Sequence, residues 1–114
     1  MRLVLFSGSH PRHLFINQIF TKFFDEILVF VVEREDQMIP IPPTDINNHD
    51  KKLFINHFAE RDRIEKKNFG SIAADDAFNG CKIIKISRIN LNTNTVSKIV
   101  KDFNADFCFI FGTN

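Results

Sequence analysis

Residues 2–11, with the sequence RLVLFSGSHP, decide the fold of this chain. The run at residues 2–6 predicts a short strand that is buried on both faces, which is typical of a parallel sheet. The strand is expected to end at Ser7-Gly8-Ser9. Because Pro11 suits the first turn of a helix and pushes the preceding residue out of the helical region, His10 is predicted as the N-cap of a helix.

Three further strands and three helices are predicted around this unit. The first helix is expected to bury an apolar stripe, formed by Phe15, Ile16, Ile19, Phe20, Phe23 and Phe24. The second strand is predicted over Glu26 to Val32. A charged helix then runs over about residues 49–68, with Leu53, Phe54, Phe58 and Ile64 on its apolar side.

The last third of the chain predicts an irregular connection over residues 71–80 and a third strand over Lys82 to Ile86. Apolar residues then recur at the i, i+3, i+4, i+7 spacing of a helix, at Val96, Ile99, Val100 and Phe103. A fourth strand is predicted over Phe107 to Phe111, where Cys108 is expected to be a small buried residue.

This β-α-β-α-β-α-β order predicts an α/β fold made of a single domain over residues 1–114. Right-handed crossovers give a Rossmann-like open parallel sheet in strand order 3-2-1-4, with helices on both faces. Ligands of such folds bind outside the carboxyl ends of the strands, where the strand order switches. The two segments expected there are Ser7-Gly8-Ser9-His10 and Gly112-Thr113-Asn114.

The segment Ser7, Gly8, Ser9 and His10 is the first candidate site. The loop continues to Arg12 and His13 and opens a helix N-terminus, which favours anions, so it is a candidate for binding a phosphate or carboxylate. A tight turn and a helix cap explain the same residues without any ligand. Elsewhere, Arg61 and Glu65 are expected to pair on the surface of their helix. No residue is assigned as catalytic or as a metal ligand.

Composition excludes several function classes. Lys and Arg number 15 and Asp and Glu number 14, so the net charge of +1 gives no basis for predicting a nucleic-acid binder. The apolar runs are too short to span a bilayer, and the first residues do not resemble a secretory signal. The two cysteines form neither a disulfide framework nor a metal-ligand pattern. We therefore expect a cytoplasmic protein.

Four segments of the sequence carry a resemblance to a known family. They are the opening strand and turn at residues 2–8, Arg61-Asp62-Arg63-Ile64-Glu65 with Phe69-Gly70, Ile89-Asn90-Leu91-Asn92, and residues 105–113. Together they resemble the N-terminal half of the 10-formyltetrahydrofolate-dependent formyltransferases. The segment that begins at Arg61 resembles the R-x-x-x-E…F-G pattern of this family. The segment at residues 105–113 resembles its fourth strand, which ends in a glycine beside the folate pocket. The family includes methionyl-tRNA, glycinamide ribonucleotide and sugar-nucleotide formyltransferases.

The resemblance implies a protein related to enzymes that move a formyl group from 10-formyltetrahydrofolate to an amine. It implies Gly112 and Thr113 as cofactor-binding residues, and a small-molecule amine as the substrate of the whole enzyme. The family's catalytic Asn, His and Asp match no residue of this sequence, since they follow the point at which this chain stops. The chain alone is therefore expected to be inactive.

The fourth strand also suggests a partner. A strand that is apolar at five consecutive positions is typical of a sheet centre, whereas Phe107 to Phe111 is expected at an edge. Such an edge favours pairing with another chain, in a homodimer or with a complementary chain. A non-catalytic assembly module and a small-anion-binding module therefore stand as alternatives to the formyltransferase-like function.

Overall fold

The computed structural model describes residues 1–33, 40–70 and 72–113. Its four strands form one parallel sheet in the order β3-β2-β1-β4, which confirms the predicted Rossmann-like α/β fold. The strands are β1 (Arg2–Gly8), β2 (Glu26–Glu33), β3 (Lys82–Ser87) and β4 (Phe107–Phe111). The helices are α1 (Pro11–Asn17), α2 (Asn48–Phe69), α3 (Ala74–Ala77) and α4 (Asn94–Phe103), with short 3₁₀ helices at Gln18–Lys22 and Arg88–Asn90.

Helices cover both faces of the sheet, as the alternation of side chains along each strand requires. On one face, Leu3 and Leu5 of β1 pack with Leu14 of α1 and with Phe78, which directly follows α3. On the other face, Val4 and Phe30 pack with α4, whose buried residue is Val96. The predicted α4 spacing is therefore confirmed, and Thr93 caps the helix, since its hydroxyl accepts the Val96 N–H.

β1 is longer than predicted. Its parallel pairing with β2 continues through Ser7 and Gly8, which align with Val31 and Val32. These two residues therefore belong to the strand and not to a turn, and only Ser9 and His10 connect β1 to α1. Residues 71–80 also differ from the prediction, because the short helix α3 forms within them. Asn114 of the predicted carboxyl-end segment and Ser71 lie outside the described residues.

The predicted apolar stripe of the first helix was wrong in most of its residues. The buried side chains of α1 are His13, Leu14 and Asn17. Of the predicted stripe, Phe20 and Phe24 pack partly buried against the core, whereas Phe15, Ile16, Ile19 and Phe23 are exposed. Within α1 the face that packs on the sheet is the one formed by His13, Leu14 and Asn17, which leaves Phe15 and Ile16 exposed. After Asn17 the chain continues as a 3₁₀ helix, whose three residues per turn interrupt the expected 3.6-residue spacing at Ile19 and Phe23.

Helix α2 begins with an Asn47 cap and ends at Gly70, which adopts the positive φ of +77° that glycine tolerates. Its expected apolar side is only partly buried, since Phe54 and Phe58 are half-buried whereas Leu53 and Ile64 are exposed. The buried residue of this helix is instead the carboxylate of Glu65. None of the helices in the described part of the chain is long and apolar enough to cross a membrane.

β4 lies at the edge of the sheet and pairs with β1 along its whole length. Its side chains are largely exposed: the exposed fraction is 52% for Phe107, 41% for Phe109 and 61% for Ile110. Cys108 is exposed as well, so the prediction that it is a buried residue was wrong. The edge position explains this, because no element within the described ranges covers the outer side of β4.

Candidate functional site

The carboxyl ends of β1 and β4 lie side by side, at the point where the strand order switches. Ser7 of β1 aligns with Phe111 of β4, and a glycine follows each of them, Gly8 and Gly112. The ring of His13 packs against both glycines. A Cβ atom at Gly112 would lie 2.6 Å from His13 Cδ2, and one at Gly8 would lie 2.9 Å from His13 Cε1. Glycine is required at both positions to admit this ring.

His13 is the middle member of a row of three rings. The His10 ring centroid lies 4.9 Å away at 75°, and that of Phe111 lies 5.3 Å away at 88°. Such edge-to-face contacts are favourable for rings with polar edges. The row therefore connects the β1–α1 connection to the end of β4 through a buried imidazole.

Asn17 links the ends of β1 and β4 through hydrogen bonds of its side-chain amide. Its Nδ2 donates to the Ser7 hydroxyl at 2.8 Å and to the Phe111 carbonyl oxygen at 3.4 Å. The Ser7 hydroxyl in turn donates to the Gly8 carbonyl at 2.9 Å. Asn17 and Ser7 are both fully buried, so these hydrogen bonds replace those that water would otherwise supply. They fix the spacing of β1 and β4 where the two strands end.

A cluster of charges, which we call the Glu65 cluster, joins α1 to α2 beside these strand ends. Arg12 Nη1 and Arg61 Nε both donate to Glu65 Oε1, the latter at 3.1 Å. His10 Nδ1 lies 3.6 Å from Glu65 Oε2. Burial alone would raise the pKa of Glu65, but the hydrogen bonds from Arg61 and Arg12 outweigh it and lower this pKa. Glu65 is therefore a buried anion held between two helices.

The predicted site residues have different environments. Ser7 is fully buried and its hydroxyl is engaged, and Gly8 is buried in the strand. Ser9 and His10 are half-buried, Gly112 is exposed and Thr113 is half-buried. Of these residues, the four that a ligand at the carboxyl edge can reach are Ser9, His10, Gly112 and Thr113. Gly112 has a φ of +83°, which favours glycine for the backbone as well as for its contact with His13.

The sequence analysis included Arg12 and His13 in the candidate anion loop after β1, but it missed Asn17 and the contacts that hold these residues together. The Arg61–Glu65 pair was predicted on the helix surface, yet Glu65 is buried and shared with Arg12. Local spacing could not reveal the Arg12 contact, because the two residues are 53 positions apart. The one available signal was the short spacing of polar residues after β1, at the end of the sheet where ligands of this fold bind.

Other candidate positions do not converge on this edge. His49 and His57 are exposed on α2. No group of three or more His, Cys, Asp or Glu side chains within residues 1–33, 40–70 and 72–113 is placed to hold a metal ion. A groove of about 420 Å³ lies near the other end of β4, where Val100, Asn104 and Cys108 line it.

The chain was compared with protein-family models, with curated proteins and with solved structures, and none of the three comparisons found a match. The fold and the contacts at the carboxyl edge of the sheet therefore form the structural basis for assigning a function.

Proposed function

We propose that this chain is the folate-binding half of a formyltransferase-like domain. In this proposal, 10-formyltetrahydrofolate binds at the carboxyl edge of the sheet, beside Gly112 and Thr113. A cytoplasmic location is part of the proposal, in keeping with the free thiols of Cys81 and Cys108.

The observation that carries the proposal is that three of the four segments resembling the family meet at one place. The β1 end contributes Gly8, the R-x-x-x-E segment contributes Glu65, and the last segment contributes Gly112. His13 contacts both glycines, and its neighbours His10 and Arg12 pair with Glu65. Segments about 50 residues apart in sequence thus contribute to one edge, which is the edge where ligands of this fold bind.

The same proposal assigns no catalysis to this chain alone. In the family, an Asn stabilises the tetrahedral oxyanion while a His and an Asp assist proton transfer, and none of the three has a counterpart here. The chain's own contribution is therefore to bind and orient the folate. In this proposal, transfer of the formyl group to a small-molecule amine requires catalytic residues that are not among residues 1–114.

Equilibrium dialysis with 5-formyltetrahydrofolate, a stable isomer of the cofactor, tests the proposal. We expect saturable binding by the chain, weakened at least fivefold by Thr113→Arg, which places a long side chain at the edge. The matched control is Thr44→Arg, an exposed threonine far along the chain, which should leave the affinity within twofold. Absence of saturable binding at millimolar concentration, or equal weakening by both variants, would contradict the proposal.

A second function is favoured by a separate observation, the exposed edge of β4. Edge strands that stay unpaired usually carry a charge, a proline or a bulge, and residues 107–111 contain no charge or proline and pair regularly with β1. Phe107 and Phe109 extend this apolar edge to Phe24 and Phe20, whose rings they contact. An assembly module, pairing β4 with a second copy or with a complementary chain, is the function this edge favours.

A further inference from the structure

We propose that Arg12 and Arg61 form a phosphate-binding site on the surface between α1 and α2, with Glu65 as its buried anchor. The ligand class is a phosphate or a phosphate monoester. The proposal does not depend on folate binding: Arg12 and Glu65 take part in the contacts near the folate edge, but the phosphate is held by Arg12 and Arg61 and not by Gly112 and Thr113.

The first argument is the convergence of two guanidinium groups on one oxygen atom. Arg12 approaches Glu65 Oε1 from α1, and Arg61 approaches it from the preceding turn of α2. The two cations are therefore held side by side, although like charges repel. A guanidinium group has five N–H donors, and each arginine uses one of them on this oxygen. The remaining donors form a fork that suits the oxygens of a phosphate group.

The second argument is the charge of the cluster. One carboxylate neutralises one arginine, so Arg12, Arg61 and Glu65 together retain one positive charge. The neighbouring pairs on α2 are balanced instead, since Arg63 pairs with Glu60 and Lys66 pairs with Asp62. The cluster therefore carries a surplus positive charge at the position where α1 and α2 meet. His10, beside the other carboxylate oxygen, adds a further charge when it is protonated.

The third argument is access. Glu65 is 11% exposed at its side chain, whereas Arg12 is 27% and Arg61 is 43% exposed. The anion of the cluster is therefore hidden behind its two cations, and an incoming phosphate meets the guanidinium groups first. Because both groups are already positioned by Glu65, binding requires little further ordering of their side chains.

Titration with inorganic phosphate at constant ionic strength, followed by amide chemical shifts, tests the site. We expect saturable shifts at residues near Arg12 and Arg61, and an affinity at least fivefold weaker in Arg61→Gln. Arg63→Gln is the matched control, since it removes the same charge from the same helix outside the cluster, and it should change the affinity less than twofold. Arg12→Gln should weaken binding as Arg61→Gln does, with the fold verified by amide dispersion.

Equal weakening by Arg61→Gln and Arg63→Gln would overturn the proposal, because it would indicate only the general charge of α2. Shifts that increase linearly without saturation would overturn it as well. Repeating the titration with glycerol 3-phosphate identifies the source of the anion. Comparable affinity for this ester supports a site for phosphorylated small molecules, and preference for inorganic phosphate supports a site for the free anion. Folate binding is measured separately, so loss of either activity is recognised without the other.

Discussion

The ring of His13 lies directly against the backbone of Gly112, at the point where β4 ends and the chain turns with a φ of +83°. A Cβ atom at residue 112 would lie 2.6 Å from His13 Cδ2, which is closer than two carbon atoms approach without a bond. The end of β4 and the interior of α1 are therefore fitted to each other, although they lie at opposite ends of the sequence.

This contact predicts that Gly112→Ala lowers the free energy of unfolding by about 3 kcal/mol, from the cost of a positive φ together with the overlap with His13. Gly80→Ala provides the control, because Gly80 has a φ of +84° but no atom within 4 Å of its Cβ position. It should cost about 1–2 kcal/mol, from the backbone alone. Urea unfolding measures both values, and equal losses would contradict the account.

The two glycines that contact His13 differ in the atoms that surround their Cβ positions, and substitution of His13 tests this difference. A Cβ at Gly8 would collide with the Gly112 carbonyl oxygen as well as with the His13 ring, whereas the three nearest atoms to a Cβ at Gly112 all belong to that ring. We expect His13→Ala to recover part of the stability lost in Gly112→Ala but little of that lost in Gly8→Ala. A double-mutant cycle by urea unfolding gives the coupling energies. Similar recovery in both backgrounds would contradict this interpretation.

The buried amide of Asn17 predicts a further loss of stability. Asn17→Ala removes donors to the Ser7 hydroxyl and the Phe111 carbonyl and leaves a cavity, so we expect a loss of about 2–3 kcal/mol. Asn56→Ala, at an exposed position of α2, should change stability by less than about 0.5 kcal/mol. The free energy of unfolding in urea measures both, and a near-neutral Asn17→Ala would show that these hydrogen bonds do not hold the strand ends.

The lowered pKa of Glu65 predicts a specific pH dependence. A carboxyl group whose pKa is lower in the folded state stabilises that state above its unfolded pKa, and this stabilisation is lost as pH falls through the folded value. Glu65→Gln should therefore cost about 1–2 kcal/mol near pH 7, since both arginines lose their anion but remain partly solvated. The difference between wild type and Glu65→Gln should shrink below about pH 4.5.

Chemical unfolding at several pH values measures this difference. Other carboxyl groups with a lowered pKa, such as Glu60, are present in both proteins, and their contribution cancels in the comparison. A difference that stayed constant from pH 7 to pH 3 would show that Glu65 stabilises the fold through packing and not through its charge.

The edge of β4 predicts a concentration-dependent assembly. Ile110→Lys places a charge on this edge, so any self-association of the wild type should be abolished. Ile89→Lys makes the same change at a residue that is 90% exposed and lies outside β4, so it should leave association unchanged. Sedimentation velocity at several concentrations distinguishes the two variants. A wild type that stays monomeric at high concentration would contradict self-assembly through β4.

The sequence was sufficient to predict the helices and strands that have a regular hydrophobic pattern. The spacing of Val96, Ile99, Val100 and Phe103 predicts α4, and the apolar run at Phe107 to Phe111 predicts β4. The order of strands was predicted from the arrangement that is typical of doubly wound α/β folds. The prediction for the first helix failed because its buried face contains the polar residues His13 and Asn17, whereas Phe15 is exposed.

The sequence predicted where in the fold the site lies, but it did not predict the contacts that form the site. The fold places the ends of β1 and β4 together, so Gly8 and Gly112 were expected as neighbours. The contacts that define the site depend on partners far apart in sequence, as for Arg12 and Glu65, or on burial of a polar group, as for Asn17. Periodicity indicates which face of a helix or strand is apolar, but it contains no information on contacts between residues that are far apart in sequence.

The most direct test of the account is chemical-shift mapping of 5-formyltetrahydrofolate on the isotopically labelled chain. The proposed function predicts saturable shifts of the amides of Gly8, Gly112 and Thr113, at the carboxyl edge of the sheet. The amides of Arg2 and Asp106 lie at the opposite edge, where the Arg2 N–H donates to Asp106 Oδ2 at 2.8 Å, and they should not shift. Saturable shifts confined to that opposite edge, or no saturable shifts at all, would contradict the claim that this chain binds folate beside Gly112.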